Sequence, residues 1–290
     1  MNQFLNDFIL GYKSYIQSWK FIKEHKLWFY FVIPIVVFGS LIYFGFWMRG
    51  LAGEASVMSE AKDISFFVSI WYKFKFLIYW IIAVMALNLT RYIMMTLLSP
   101  VLSVVSERVE KILTGNNYSF NLPQMLRDVK RGIKISIRNM IREILIVSTI
   151  YIVAAFVGWL IDVNLSWLSL SLSLLIAFFY YGFGFMDYIN ERRRLTIRQS
   201  VLFVRKHWGL AISLGSVFVL IFQILFPIFE GNKYLFLPGA IIVSVIPIFS
   251  IIASTLALHA LVDLSTNEYA VKTIGGEKFS PSDKPDGGNV

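Results

Sequence analysis

The sequence predicts an all-α integral membrane protein on three observations: a composition too apolar for a water-soluble fold, a series of apolar runs of membrane-crossing length, and basic residues gathered in alternate connections. Of 290 residues, 57% are hydrophobic and 16% charged, and the mean hydropathy is +0.66. So few charges cannot clothe a surface that faces water. A helix needs roughly 20 apolar residues to cross the hydrocarbon layer. The runs Leu27 to Met48, Phe76 to Leu98, Ile144 to Ile161, Trp167 to Met186, Gly209 to Phe229 and Gly239 to Leu261 approach or meet that length.

The first element expected is an amphipathic helix lying in the membrane interface, because Phe4, Phe8, Ile9, Tyr12, Tyr15, Ile16 and Trp19 recur at helical spacing beside Asp7, Lys13, Gln17 and Lys20. Trp28 and Tyr30 mark entry into the bilayer. Pro34 is placed about two turns inside the first span, as a kink. The second apolar stretch, Phe66 to Leu98, exceeds one crossing, with Lys73 and Lys75 at its outer end, and Ser99-Pro100 is expected to break it. A surface helix follows, with Leu102, Val105, Val109, Ile112 and Leu113 on one face and Glu107, Glu110 and Lys111 opposite.

Asn121, an early Pro123 and Gln124 make a helix start. From it Arg127, Arg131, Lys134, Arg138 and Arg142 advance by three or four, giving a basic stripe interrupted in sequence by Ile133, Ile137 and Met140. An apolar hairpin then runs from Ile144 through Asp162 to Asn164 and back to Met186. Thr196 and Gln199 form a second capping box that opens a short basic helix ending near Gly209. Another hairpin turns at Glu230 to Lys233 and ends near Leu261, with Pro227 and Pro247 interrupting its two arms. A basic helix feeding an apolar hairpin thus occurs twice, as in a weak structural repeat. Residues 1–264 form a single membrane domain on this reading. Residues 265–290, rich in Gly, Pro, Ser, Asp and Lys, form a disordered cytoplasmic tail.

Net charge is +9, which invites a nucleic-acid reading, but the charges sit in the connections. The segment from Arg108 to Arg142 and that from Arg192 to Lys206 are basic, whereas the Asp162 to Ser166 turn carries no Lys or Arg. The positive-inside rule accounts for this bias and places both termini and the basic connections in the cytoplasm, with no nucleic-acid partner. Both hairpins begin and end on that side, so charge bias leaves open whether they cross fully or dip halfway and return.

The chain has no Cys, hence no disulfide, thiolate metal site or thiol nucleophile. The His residues 25, 207 and 259 form no metal-type pair. No phosphate loop or nucleophile elbow is present, so neither an enzyme, a cofactor nor a metal is expected. Arg91 is the most informative single residue, because a guanidinium inside an apolar span normally faces a cavity or a partner. Asn88 and Ser99 lie on nearly the same helix face. The three form either a polar strip that attracts a small inorganic anion, or a site where Arg91 snorkels to the headgroups. Arg192, Arg193 and Arg194, with Arg131 and Arg138, are candidate contacts for anions or anionic lipid. Glu191 can pair with Arg194 at i+3 if the helix continues that far, and His259 with Asp263 at i+4.

The run from Tyr180 to Ser200, with its Asp187-Tyr188 and Glu191 to Arg194 pattern, followed by Arg205 to Leu210, resembles the signature region of the family that joins the CysZ sulfate permeases to the etoposide-induced membrane proteins. Leu98 to Leu102, Ser106 to Glu110 and Ile246 to Thr255 are similar to other segments of that family. The resemblance covers most of Phe8 to Leu261. It implies two full transmembrane helices plus two partly inserted apolar hairpins, assembled as a homo-oligomer among membrane lipids. It also implies a multi-pass inner-membrane permease for an anion, sulfate first, or alternatively a non-transporting membrane organiser or lipid-binding scaffold. The chain departs from the permeases around Ile144 to Asn164, where their sulfate-associated Gly-Leu-Asn segment has no counterpart.

Overall fold

In lipid every backbone N–H and C=O must be satisfied within the chain, and among the described residues the protein answers with helix and no strand. The computed structural model describes residues 2–61, 64–88, 90–116, 122–232, 234–262 and 264, with the side chains of 88, 122–129 and 230 left out. The Asn121 cap, Asp263 and the 265–290 tail lie outside the described residues. The helices are α1 (Asn2–His25), α2 (Val32–Ser59, after a 3-10 turn at Leu27–Phe31), α3 (Phe66–Asn88), α4 (Thr90–Thr114), α5 (Leu122–Ile161), α6 (Ser166–Arg192), α7 (Ile197–Lys206), α8 (Trp208–Leu220), α9 (Phe226–Glu230) and α10 (Phe236–Leu261). Seven stretches among the described residues are long and apolar enough to cross a membrane.

The most central helix is α10, which buries 72% of its most apolar stretch against α1, α2, α4, α6 and α8. At the other extreme is α5, whose most apolar stretch contains no fully buried residue. Tyr151, Ile152, Val153, Phe156 and Trp159 of α5 are all exposed, a surface that only lipid or another apolar partner can cover. α2 and α3 pack along each other, and α6 closes tightly on α8, where Gly182 and Gly215 let the two backbones meet.

Four expectations are corrected. Ser99-Pro100 does not break the helix: Pro100 lies inside α4, where Leu98, Ser99 and Leu102 are buried and tertiary packing holds the turn despite the missing N–H. The basic helix and the apolar arm after it are one continuous helix, α5, because no Gly, Pro or turn chemistry separates Arg142 from Ile144. In the second copy the connection breaks at His207 (φ −111°, ψ 43°), so the two copies differ. Pro34 falls in the first turn of α2 rather than two turns inside it, since the 3-10 turn precedes it and the first-turn N–H groups lack helical acceptors in any case. Pro247 likewise stays within α10, whereas Pro227 follows a π-helical stretch at Ile221–Leu225.

α1 turns mostly small residues toward the rest of the protein. Its inward face is small and polar at Asp7, Gly11, Ser14 and Ser18 and becomes apolar only at Phe21 and Ile22, while Leu5, Ile9, Ile16 and Trp19 point outward. A side chain on Gly11 would overlap Ser213 of α8, so close helix approach selects small residues inside and leaves the apolar ones for lipid. Tyr15 reaches across to donate to the Leu214 carbonyl at 2.6 Å and to Ser250 Oγ at 2.7 Å.

Candidate functional site

Arg91 stands near the start of the described part of α4. Thr90 donates its hydroxyl back to the carbonyls of Ala86 and Leu87, one turn earlier, at 2.5 and 2.9 Å. Arg91 projects from α4 toward α5 and α6. Its Nη2 donates to Glu143 Oε1 of α5 at 3.1 Å and to the Tyr92 hydroxyl at 3.1 Å. The guanidinium carbon lies 4.8 Å from the centre of the Tyr92 ring and 5.3 Å from that of Tyr181 on α6, and the two rings are 5.6 Å apart.

Burial decides what this arrangement means. The Arg91 side chain is 16% exposed and that of Glu143 3%, so Arg91 is held against a counter-ion and two aromatic faces. An unpaired buried charge costs several kcal/mol, roughly, and pairing is what makes it tolerable. Arg91 Nη1 is also buried, and among the described residues it has no hydrogen-bond partner. One N–H group of the cation is therefore left for an acceptor oxygen to satisfy. The site can offer an oxyanion the guanidinium and nearby phenol hydroxyls, with Glu143 as the competing anion.

The other residues singled out in sequence are distributed differently. Ser99 lies two turns further along α4, buried against Gly132 of α5. Asn88 is the last described residue of α3, and its side chain lies outside the described residues. Arg131 of α5 joins α6: Nη2 donates to Asp187 Oδ1 at 3.2 Å, Nη1 to the Leu195 carbonyl at 2.7 Å, and Nε lies 3.6 Å from Glu191 Oε1. Asp187 in turn accepts from Ser200 Oγ of α7 at 2.5 Å, and Ser200 accepts from Asn190 Nδ2 at 3.1 Å.

The arginine run separates because α6 ends at Arg192. Arg192 pairs with the fully buried Glu110 of α4 at 2.8 Å and donates to Ser106 Oγ at 2.7 Å. Ser106 meets Thr255 of α10 at 2.8 Å, so this set locks α4, α6 and α10 together. Arg193 lies over the Phe203 ring at 5.2 Å, with part of its charge shielded from water, so that burial lowers its pKa from the ordinary value. Arg194 adopts a left-handed backbone (φ 52°) in the turn. Arg138 lies over Phe183 at 5.3 Å and donates to Asn139 Oδ1 at 3.2 Å. His259 accepts the Leu264 N–H at 3.2 Å.

Sequence reasoning named Arg91 but missed Glu143, Tyr92 and Tyr181. The one available signal was that an arginine within a span needs a partner, and Glu143 stands immediately before the apolar run that begins at Ile144.

Comparison with known families gives one match. The family model described as sulfate transporter CysZ/etoposide-induced protein 2.4 matches residues 14–230, which takes in Arg91, Glu143, Tyr181 and the arginine run and ends at the end of α9. No curated protein matches the chain.

Proposed function

The chain belongs to the sulfate transporter CysZ/etoposide-induced protein 2.4 family, and from this premise we propose that it is an inner-membrane anion permease with sulfate as its first candidate substrate. The observation that carries the reading is Arg91: a cation buried within a helix long and apolar enough to span the bilayer, with Nη2 committed to Glu143 and Nη1 lacking a partner among the described residues. A tetrahedral oxyanion presents several acceptor oxygens, and a guanidinium edge is the side-chain group best shaped to receive two of them.

On this reading Arg91 draws the anion in, the Tyr92 and Tyr181 rings keep the guanidinium from swinging out, and Glu143 weakens the hold enough for release. Binding that is favourable but not tight is what conduction requires. Transport is passive or follows a gradient. The proposal gives the chain no catalytic step and no cofactor, and it keeps both termini in the cytoplasm and a homo-oligomer in the membrane, where the exposed faces of α3 and α5 supply apolar contact area.

The test is radiolabelled sulfate flux into proteoliposomes. Flux should exceed that of empty vesicles, fall on Arg91→Ala, and recover in part on Arg91→Lys, which restores the charge without the planar fork. Size-exclusion chromatography of each variant separates lost transport from lost folding. Flux equal to that of empty vesicles from a correctly folded protein would discard the permease and leave the scaffold.

A further inference from the structure

One strongly basic surface takes no part in the Arg91 site. Along the outer side of α5, Lys130, Lys134, Arg138 and Arg142 alternate with Ile133, Ile137 and Ile141 around an open hollow of about 620 Å³. The wall of the hollow is almost wholly apolar, and the residues that form it include four cations and no acid. Lys130, Lys134 and Arg142 are exposed, as are Ile137 and Ile141, and Arg138 Nε is buried without a hydrogen-bond partner among the described residues. Like charges one helical turn apart repel each other, so the stripe is a place where an anion relieves strain.

We infer that this hollow binds one anionic phospholipid, with its phosphate between Arg138 and Arg142 and its acyl chains running along α5. Two observations choose a lipid over a free ion. The isoleucines that alternate with the cations offer nothing to a hydrated anion but match the upper part of an acyl chain. The stripe also passes without a break into the exposed apolar half of α5, from Ile144 onward, so one molecule can lie on both. Geometry narrows the headgroup position further. Lys130 and Arg142 are about 18 Å apart along the helix axis, whereas the headgroup zone on one side of a bilayer is only roughly 5–8 Å deep. Arg138 and Arg142, about 6 Å apart along the axis and next to the apolar half, fit within it, and Lys130 stands too far out.

The full-length protein, purified in detergent and studied by native mass spectrometry with added phosphatidylglycerol or phosphatidylcholine, tests the site. Phosphatidylglycerol adducts should exceed phosphatidylcholine adducts. Occupancy should fall about fivefold in R142Q and further in R138Q/R142Q, while K130Q changes it by less than about twofold. The single variant R142Q alters an exposed side chain and keeps the test open if the double variant does not fold. Equal adducts of the two lipids, unchanged occupancy in R142Q, or loss of the lipid to millimolar inorganic phosphate would overturn the inference, the last result by showing a free-anion site. None of these outcomes depends on sulfate flux, so the lipid site and the permease reading stand or fall separately.

Discussion

Arg91 of α4 and Glu143 of α5 stand 3.1 Å apart with their side chains 16% and 3% exposed, an ion pair set between helices whose outer surfaces are apolar. Removing either partner leaves the other as an uncompensated buried charge, which costs about 3–5 kcal/mol, whereas replacing both with apolar residues is often close to neutral. Arg91→Met and Glu143→Leu alone should each destabilise the detergent-solubilised protein strongly, and the double variant should recover most of the loss. Thermal unfolding of the four proteins gives the coupling. Additive single losses would show that the pair does not act as one unit.

The α6–α8 contact depends on absent side chains. A Cβ on Gly182 would overlap the Ala211 carbonyl, and one on Gly215 would overlap the Phe178 carbonyl, whereas Gly184 faces open space. Backbone cannot yield as a flexible side chain can, so Gly182→Ala and Gly215→Ala should each lower stability by about 1–3 kcal/mol. Gly184→Ala should be neutral or gain up to about 1 kcal/mol, since alanine favours the helix. Melting temperatures of the three variants check the order, and equal effects at Gly182 and Gly184 would deny the close crossing.

Asp187 is the hub between α5, α6 and α7, accepting from Ser200 at 2.5 Å and from Arg131 at 3.2 Å. Hydrogen bonds to a charged group contribute about 1.5–3 kcal/mol, against about 0.5–1.5 for neutral pairs. Asp187→Asn, which keeps shape and removes charge, should therefore cost more than a neutral bond is worth, and Asn190→Ala less than Asp187→Asn. Limited proteolysis at the Arg193 to Thr196 connection should quicken most in Asp187→Asn, because Arg131 also holds the Leu195 carbonyl.

What the sequence disclosed and what it hid divide along a physical line. The Thr196 to Gln199 capping box was legible, and both of its hydrogen bonds are present, because capping chemistry is settled by residues three apart. The apolar runs were legible because hydrocarbon thickness imposes a length. Pro34, Pro100 and Pro247 misled, because proline is tolerated in a first turn and in helices braced by neighbours, and the sequence shows no neighbours. The Arg91 site was half legible. The cost of a buried cation flagged Arg91, but Glu143 is 52 residues away in sequence, and only packing brings α5 beside α4.

The depth of the two hairpins can be decided by the chain's own lack of cysteine, which makes single-cysteine variants clean probes. The apolar half of α5, from Ile144 to Ile161, is about 27 Å long at the helical rise, close to the roughly 30 Å of the hydrocarbon core. Asn164 at the tip between α5 and α6, Asn232 at the tip before α10 and Arg198 on α7 are all exposed. If both hairpins cross fully, a membrane-impermeant maleimide added outside right-side-out vesicles should label N164C and N232C but not R198C, and inverted vesicles should reverse the pattern. If the hairpins dip and return, both tips stay protected from either side while R198C still reacts from within. Labelling of R198C from outside would invert the orientation altogether, and with it the placement of every basic connection in the cytoplasm.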